Sequence, residues 1–229
     1  MDKVGEYTLE IMREAGWYNN WLFMLIEPEL KGHILEVGAG IGNITQLLVD
    51  KSKRVYAIDL NERYVEKLKK RFANKLEVEL GNVEKNDNFF NNKKFDTIVC
   101  LNVLEHIKKD TNALKNMYSL LIKGGKLILL VPAHEFLYSH LDAKLGHYKR
   151  YNKKELDLLL EDIGFKKISL KYINLASAAA WFIMLRLTKR GSLPRRNVEI
   201  FNIIGKLLIW PEKYIEPPIG LSVLAIYKK

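Results

Sequence analysis

The sequence predicts an α/β protein whose open, largely parallel sheet binds a nucleotide-like ligand. The first observation is an apolar run, Ile34–Val37, that leads directly into a glycine-rich turn and then a helical pattern. The second is Asp59, an acid at the end of the next apolar run. The third is the alternation of short apolar runs with amphipathic stretches along the chain. Strand, glycine turn and helix form the first βα unit of a nucleotide-binding sheet.

The N-terminal part is predicted to be a helical cap over residues 1–31. An apolar stripe across residues 8–26 indicates one helix that packs on the sheet. Its aromatic residues Trp17, Tyr18 and Trp21 could cap a ligand site or fill the packing interface, and the pattern leaves both roles open. With 229 residues, 48% of them apolar, the whole chain is expected to form a single domain.

The turn after the first strand is rich in glycine. Gly38, Gly40 and Gly42 let the backbone pass close to a ligand, because a Cβ there would clash. A dinucleotide fingerprint, G-x-G-x-x-G, would need a glycine where Asn43 stands. The carboxylate of Glu36, just before the turn, suits a ligand that carries an amino group.

Residues 36–42, E-V-G-A-G-I-G, resemble motif I of the class I methyltransferases that depend on S-adenosylmethionine (SAM). This resemblance implies a seven-stranded Rossmann-like sheet with helices on both faces and a helical insert before the last strand. It also implies that SAM is the cofactor, with Glu36, Gly38, Ala39 and Gly40 lying at its methionine part.

The second strand is predicted over residues 54–58 and ends in Asp59. The acid stands at the separation from the glycine turn that is expected of a carboxylate bonding a ribose diol. An ionised Asp can accept hydrogen bonds from both hydroxyl groups. Asp59 and the following residue, Leu60, are therefore assigned to the cofactor site.

The third strand, Leu76–Leu80, alternates apolar and acidic residues and is expected near the sheet edge. Asn82 and Val83 follow it. In the class I methyltransferases this turn often carries an acid and an apolar residue. The resemblance therefore implies that the amide of Asn82 meets the adenine amino group and that Val83 meets the adenine ring.

The fourth strand, Phe95–Leu101, runs into residues 102–107, N-V-L-E-H-I. This resembles motif IV of small-molecule methyltransferases of the quinone-biosynthesis type, and it implies that Leu101 and Asn102 lie at the cofactor. Enzymes that methylate amino groups of nucleic-acid bases usually carry an Asn/Asp-Pro-Pro-Tyr type of motif here. The absence of proline from this stretch argues against base N-methylation.

The remainder of the chain predicts two further helices, three further strands and an insert. The helices are expected at residues 110–121 and 152–160, and the strands at residues 126–131, 165–171 and 221–227. The resemblance implies that the last strand inserts antiparallel between the fifth and the sixth. Residues 175–219, where a short turn would suffice, are expected to form a helical insert that acts as a lid, a membrane anchor or a dimer contact.

Four of the five histidines follow the fourth and fifth strands, at the sheet edge where ligands bind. An oxygen acceptor must lose a proton, and a histidine of near-neutral pKa is a natural base. His106 and His147 are the candidate catalytic residues. The alternative for His106 is a helix-start residue bonded to the backbone, and the alternative for His147 and Arg150 is to hold their loop closed.

The loop after the fifth strand contains the block G-H-Y-K-R-Y, and the segment before the last strand reads P-I-G-L-S. Both resemble a subset of uncharacterised bacterial and archaeal methyltransferases with a G-H-x-R-R-Y block. The resemblance covers nearly the whole chain but does not identify the acceptor. The candidate substrate-binding residues are His134, Tyr148, Arg150 and Tyr151.

A metal site is not expected from the sequence. Some relatives with the motif E-x-x-E-H use Glu, Glu and His as metal ligands. Asn102 stands at the first of these positions, which leaves Glu105, His106 and at most His134. A hard cation such as magnesium prefers oxygen ligands.

Composition narrows the partners and the compartment. Thirty-seven Lys and Arg against 27 Asp and Glu give a net charge of +10, which favours acidic partners such as nucleic acid, phosphorylated small molecules or anionic membranes. The single cysteine, Cys100, cannot form an intrachain disulfide, which fits a reducing compartment. No signal peptide is apparent at the N-terminus. A cytoplasmic location is expected, with peripheral membrane contact through residues 175–210 as an option.

The leading hypothesis is a SAM-dependent methyltransferase that acts on a small-molecule or lipid-linked acceptor. One alternative is an RNA methyltransferase, suggested by the net charge. The other is a SAM-binding protein without turnover. No obligate protein partner is evident from the sequence.

Overall fold

The structure is a computed structural model that describes residues 3–52, 54–85, 88–183, 212 and 215–229. Eight α-helices and seven β-strands lie within these residues. The helices are α1 (Lys3–Glu14), α2 (Gly16–Ile26), α3 (Asn43–Lys51), α4 (Glu62–Phe72), α5 (Asp110–Leu120), α6 (His140–Leu145), α7 (Lys153–Ile163) and α8 (Leu175–Trp181). The strands are β1 (Ile34–Val37), β2 (Val55–Asp59), β3 (Leu76–Leu80), β4 (Phe95–Leu101), β5 (Leu121–Pro132), β6 (Lys166–Ile173) and β7 (Ser222–Lys228).

The seven strands form one sheet in the order β3-β2-β1-β4-β5-β7-β6. Strands β1 to β5 run parallel, and β7 pairs antiparallel with β5 on one side and with β6 on the other. The order reverses at β1, so the crevice beyond the carboxyl ends of β1 and β4 is where this topology binds ligands. The predicted fold class, the edge position of β3 and the antiparallel insertion of β7 are all confirmed.

Two hydrophobic layers cover the two faces of the sheet. On β1, Ile34 contributes to one layer and its neighbour Leu35 to the other, as expected when successive side chains point to opposite faces. Helices α5 and α7 supply Leu114 and Leu156 to the layer of Leu35, while α2, α3 and α4 cover the opposite face. Both faces of the parallel strands are therefore buried, as the continuous apolar runs of β1 and β4 indicated.

The prediction of one helix over residues 8–26 is wrong in detail, because two helices meet at Ala15. Ala15 has a non-helical ψ of 48° and is followed by Gly16, a residue with low helix propensity. The break lets α2 bury Leu22 and Ile26 against the sheet while α1 lies over the site described below.

The predicted insert is described in part. Helix α8 lies at the start of the predicted insert, residues 175–219, and residues 184–211 of that insert lie outside the described residues. Among the residues that the structure describes, no helix is long and apolar enough to span a membrane.

Candidate active site

A cavity of about 600 Å³ lies beyond the carboxyl ends of β1 and β4, at the point where the strand order reverses. The glycine turn and the ends of the two strands form its base, while α1 and α2 form one wall. The loop 132–151 and α8 also contribute to the lining. The cavity therefore has the position that ligands take in open α/β sheets.

The glycine turn forms a tight backbone cradle in the lining of this cavity. Gly38 and Gly40 have φ values of 74° and 56°, in the left-handed region that favours glycine. A Cβ on Gly38 would lie 2.4 Å from Val103 Cγ2, so any side chain there would displace the loop after β4. The backbone at Gly38 and Ala39 thus lines the cavity with no side chain in the way.

Glu36 lies beneath the cradle and is 6% exposed. One of its carboxylate oxygens accepts a hydrogen bond of 2.6 Å from the hydroxyl of Thr45. Burial raises the pKa of Glu36 to about 8. A neutral carboxyl at this depth would become ionised beside a ligand cation, which fits the predicted contact with an amino group.

Asp59 stands at the carboxyl end of β2, as predicted. It accepts hydrogen bonds from the backbone N–H of Gly40 at 2.7 Å and from that of Asn61 at 2.8 Å. Burial raises the pKa of Asp59 against the opposing effect of these hydrogen bonds. The next residue, Leu60, is 68% exposed, while Asn61 lines the cavity. The hydrogen bond to Gly40 links the acid directly to the glycine cradle.

The other four residues assigned to the cofactor site from the sequence have different positions. Leu101 and Asn102 line the cavity, and Asn102 has a left-handed φ of 54°. Asn82 is half-buried, and its side-chain oxygen accepts a hydrogen bond from the N–H of Glu84. Val83 lies within the hydrophobic core at 4% exposure. Asn82 and Val83 are not among the residues that line the described cavity.

Three titratable side chains that line the cavity meet one another. Glu105 Oε1 lies 4.0 Å from His147 Nε2, and the rings of His106 and His147 meet edge to face at 4.6 Å between centroids. Desolvation and the charge of the neighbouring His147 lower the pKa of His106 to about 4. His106 is nevertheless exposed and lines the cavity. Burial raises the pKa of Glu105 to about 7. The structure thus brings the two predicted catalytic histidines together.

Asp142, which was not predicted from the sequence, holds His147 and Arg150 in place beside this cluster. It is fully buried and accepts a hydrogen bond of 2.8 Å from His147 Nδ1. It also accepts two hydrogen bonds of 2.9 Å from the guanidinium of Arg150, and further ones from the N–H and hydroxyl of Ser139. These partners lower the pKa of Asp142 to about 2. The spacing of Ser139 and Asp142 is that of a helix capping box and was a signal available in the sequence.

Of the four predicted substrate-binding residues, Arg150 lines the cavity, with its charge matched by Asp142. His134 lies outside the lining, with its ring 4.5 Å from that of Tyr172. Tyr148 is 60% exposed. Tyr151 is fully buried, because its backbone bridges to the end of β5 and its hydroxyl donates to Asp110. In this structure Tyr151 is a core residue, and the structure brings neither tyrosine into the cavity.

Much of the cavity lining is apolar and consists of residues to which the sequence analysis gave no role in binding. Trp181 of α8 donates from its indole N–H to the carbonyl of Leu137, and the guanidinium of Arg150 lies 4.8 Å from its ring. Tyr18 of α2, whose role the sequence left open, also lines the cavity. The other apolar residues here include Leu9, Met12, Leu22, Leu145 and Leu221.

An open sheet of this strand order, with a glycine cradle after β1 and a carboxylate after β2, has the class I SAM-dependent methyltransferase fold. The chain belongs to the methyltransferase domain family, whose sequence profile matches residues 10–170. The sequence-based predictions of the fold class and of SAM as the cofactor are confirmed at this level.

Known proteins resemble this chain in sequence and in structure. It is 32% identical over 141 residues to an uncharacterized methyltransferase of Staphylococcus carnosus, an alignment that covers 58% of this chain and 61% of that protein. It is 26% identical over 135 residues to a probable SAM-dependent methyltransferase of Mycolicibacterium smegmatis, of which it covers 51%. The chain thus spans at most about three fifths of the length of these relatives.

Among solved structures, a SAM-dependent methyltransferase of Archaeoglobus fulgidus superimposes with a TM-score of 0.64 at 18% identity, over 94% of both chains. The N-methyltransferase NodS of Bradyrhizobium japonicum, solved with S-adenosylhomocysteine, superimposes with a TM-score of 0.59 at 15% identity. That alignment covers 96% of this chain and 87% of NodS. At these identities the likeness shows a shared fold.

Proposed function

We propose that this protein transfers a methyl group from SAM to a small-molecule or lipid-linked acceptor. The observation that carries the proposal is one cavity lined both by the glycine cradle at Gly38 and by the cluster of Glu105, His106 and His147. Much of the cavity lining is apolar, and Trp181 and Leu145 contribute to it. An acceptor with an apolar body and a reactive polar atom would fit this arrangement.

The residues at the cradle suit SAM. Because Gly38 and Gly40 carry no Cβ, a ligand can approach their backbone closely. The carboxylate of Glu36 suits the amino group of a methionine. Asp59 is proposed to bond the ribose hydroxyl groups through the lone pairs that its backbone contacts leave over. Bound SAM would supply an electrophilic methyl group on a sulfonium. We retain Leu60, Asn82 and Val83 as proposed contacts of the nucleoside part.

Of the two candidate bases, His147 fits the role better than His106. With the pKa of His106 lowered to about 4, its ring binds a proton too weakly to remove one from a hydroxyl group effectively at pH 7. His147 donates from Nδ1 to Asp142, which fixes the ring and leaves Nε2 to accept a proton. We therefore propose His147 as the base for an oxygen acceptor, with Asp142 as its positioning residue and His106 packed against its ring.

An RNA acceptor remains the second candidate, and one comparison favours it. Over 59 residues the chain is 46% identical to a probable ribosomal RNA small subunit methyltransferase A of Methanococcoides burtonii, although this covers only 22% of that protein. The net charge of +10 also suits a polyanion. A protein that binds SAM without turnover is the third.

Transfer of label decides among these. The full chain is incubated with methyl-labelled SAM and a fractionated extract, and label is followed into small molecules, lipid, RNA and protein. We expect label in the small-molecule or lipid fraction. Label in RNA alone would replace the proposed acceptor class. SAM binding without label in any fraction would indicate a protein without turnover. Label in the lipid fraction would also support membrane contact through residues 175–210.

Asp59→Ala is expected to weaken the binding of SAM and S-adenosylhomocysteine. Loss of the charged hydrogen bonds to the ribose should remove about 1.5–3 kcal/mol of binding free energy. Isothermal titration calorimetry with S-adenosylhomocysteine measures this loss. Glu66→Ala, at an exposed position of α4, is the matched control and should bind like the wild type. Equal affinity in Asp59→Ala and wild type would refute the ribose assignment.

The binding of S-adenosylhomocysteine is expected to tighten as the pH rises from 6 to 8. Burial holds the pKa of Glu36 at about 8 in the free protein, so its carboxyl is protonated at neutral pH. The ligand's ammonium group favours the ionised form, so binding releases a proton and the affinity should rise by up to about tenfold per pH unit. Titrations across this range, in buffers of different ionisation enthalpy, count the protons released.

Glu36→Gln is the control for this dependence. Its uncharged amide cannot release a proton, so its affinity should be weaker at pH 8 and flatter with pH than that of the wild type. If wild type and Glu36→Gln show the same pH dependence, then Glu36 does not face the ligand's amino group.

A further inference from the structure

Three potential metal ligands meet in the lining of the cavity. One donor atom each from Glu105, His106 and His147 lies within 4.8 Å of the other two. A cation that bonds nitrogen and oxygen at about 2.0–2.2 Å needs its ligands roughly this close, after small side-chain rotations. Glu105 and His106 lie in the turn after β4, whereas His147 lies in the loop after β5. The three residues are therefore neighbours in the folded protein although His147 is distant from the other two in the sequence.

One of the two histidines, His147, is oriented by a second hydrogen bond. His147 Nδ1 is bound to Asp142 Oδ1 at 2.8 Å, which leaves Nε2 pointing toward Glu105. Metal-ligating histidines almost always carry such a partner, which fixes the tautomer and the direction of the ligating nitrogen.

Glu105 supplies an independent observation that points to a ligand. Its side chain is 1% exposed, and Oε2 has no hydrogen-bond partner among the described residues. A buried carboxylate oxygen without a partner is costly unless something compensates it. The nearby Arg150 does not do so, because its guanidinium is committed to Asp142. A cation between Glu105 and the two imidazole rings would satisfy this oxygen.

We propose that Glu105, His106 and His147 bind one divalent first-row transition-metal ion, with an open coordination position toward the cavity. One carboxylate and two imidazoles form the donor set of catalytic zinc sites and of non-haem iron sites. Magnesium prefers all-oxygen coordination, so this set selects against it. No metal was expected from the sequence, because Asn102 stands at the first Glu position of the E-x-x-E-H ligand set and magnesium prefers oxygen ligands. His147 takes the place of the missing carboxylate.

The binding itself does not depend on the proposed methyl transfer, but its role does. In the protein without the ion, Nε2 of His147 is free to act as a base. In the loaded protein this nitrogen is a ligand, and an acceptor hydroxyl bound at the open position would lose its proton more readily because the cation lowers its pKa.

Direct metal binding tests the inference. The full chain is stripped with a chelator, and Zn²⁺ is titrated by calorimetry; Co²⁺ serves as a spectroscopic probe, because tetrahedral coordination gives intense visible absorption. We expect one ion per chain. Glu105→Gln and His147→Ala should weaken the affinity by more than the roughly 10–100-fold that loss of an outer hydrogen bond costs. His140→Ala, at an exposed histidine of α6, is the matched control and should bind like the wild type.

The outcomes separate this inference from the proposed function. Binding of S-adenosylhomocysteine shows that each variant is folded, and the isosteric Glu105→Gln decides if His147→Ala does not fold. Absence of a stoichiometric ion in the wild type, or equal affinity in wild type and Glu105→Gln, would overturn the metal site. Methyl transfer by the stripped protein would leave the proposed function intact in that case. Metal binding without methyl transfer would support the site and refute the function.

Discussion

Asp142→Ala is expected to lower the free energy of unfolding by about 3–5 kcal/mol. The reason is that Arg150, which is 3% exposed, would keep its charge in the interior after losing both hydrogen bonds to the carboxylate. Removal of one partner of a buried ion pair has a cost of this size. Urea denaturation, followed by circular dichroism, measures it. Asp162→Ala, at an exposed position of α7, should stay within about 0.5 kcal/mol of the wild type.

The double variant Asp142→Ala/Arg150→Met separates the unpaired charge from lost packing. It should recover a large part of the stability, because an apolar side chain replaces the buried charge. If the double variant recovers no stability, the loss in Asp142→Ala comes from the hydrogen bonds of Asp142 to Ser139 and His147.

The pH dependence follows from the same carboxylate. The pKa of Asp142 is lowered to about 2, below its ordinary value of 3.8. Its contribution to stability is therefore complete above the ordinary value and disappears as the pH falls toward 2.

His147→Ala is expected to lower the rate of methyl transfer to an oxygen acceptor by about 10²–10⁴-fold, the usual contribution of a general base. The affinity for S-adenosylhomocysteine should change little, because the ring belongs to the cluster with Glu105 and His106 and is not among the residues assigned to the cofactor. Turnover of labelled SAM with the identified acceptor measures the rate, in chelator-treated protein so that the imidazole acts without a metal ion.

His106→Ala provides the comparison. The sequence nominated both histidines, but a pKa of about 4 makes His106 a weak base, so its removal should reduce the rate less than removal of His147. If both variants turn over like the wild type, neither ring removes a proton. Catalysis would then consist of placing an acceptor that is already nucleophilic.

Local features of the site could be read from the sequence. The cradle needs glycine within a short stretch that follows a strand, and Asp59 lies at the end of the next strand, so position along the chain predicts position in space. The β-strands could be placed for the same reason, since parallel strands that are buried on both faces are continuous apolar runs.

The non-local features could not be read in this way. Asp142 looks like a helix cap in the sequence, and only the folded loop shows that it also holds His147 and Arg150. Tyr151 was predicted to contact the substrate as part of the G-H-Y-K-R-Y block, yet its backbone pairs with the chain at the end of β5 and its ring lies in the core. A side chain's partners across the fold decide such roles, and a single sequence contains no record of them.

The position of β7 has a consequence for how the chain reaches its native state. Within the described sheet, β6 is joined to the other strands through β7 alone. Strand β6 can therefore join the sheet only together with β7. Without β7, β5 has an unpaired edge. Closing a long loop before any hydrogen bond forms slows folding, and an open edge can pair with a second molecule. The pairing of β7 with β5 therefore closes an edge at which the unfinished sheet could otherwise pair with a second molecule.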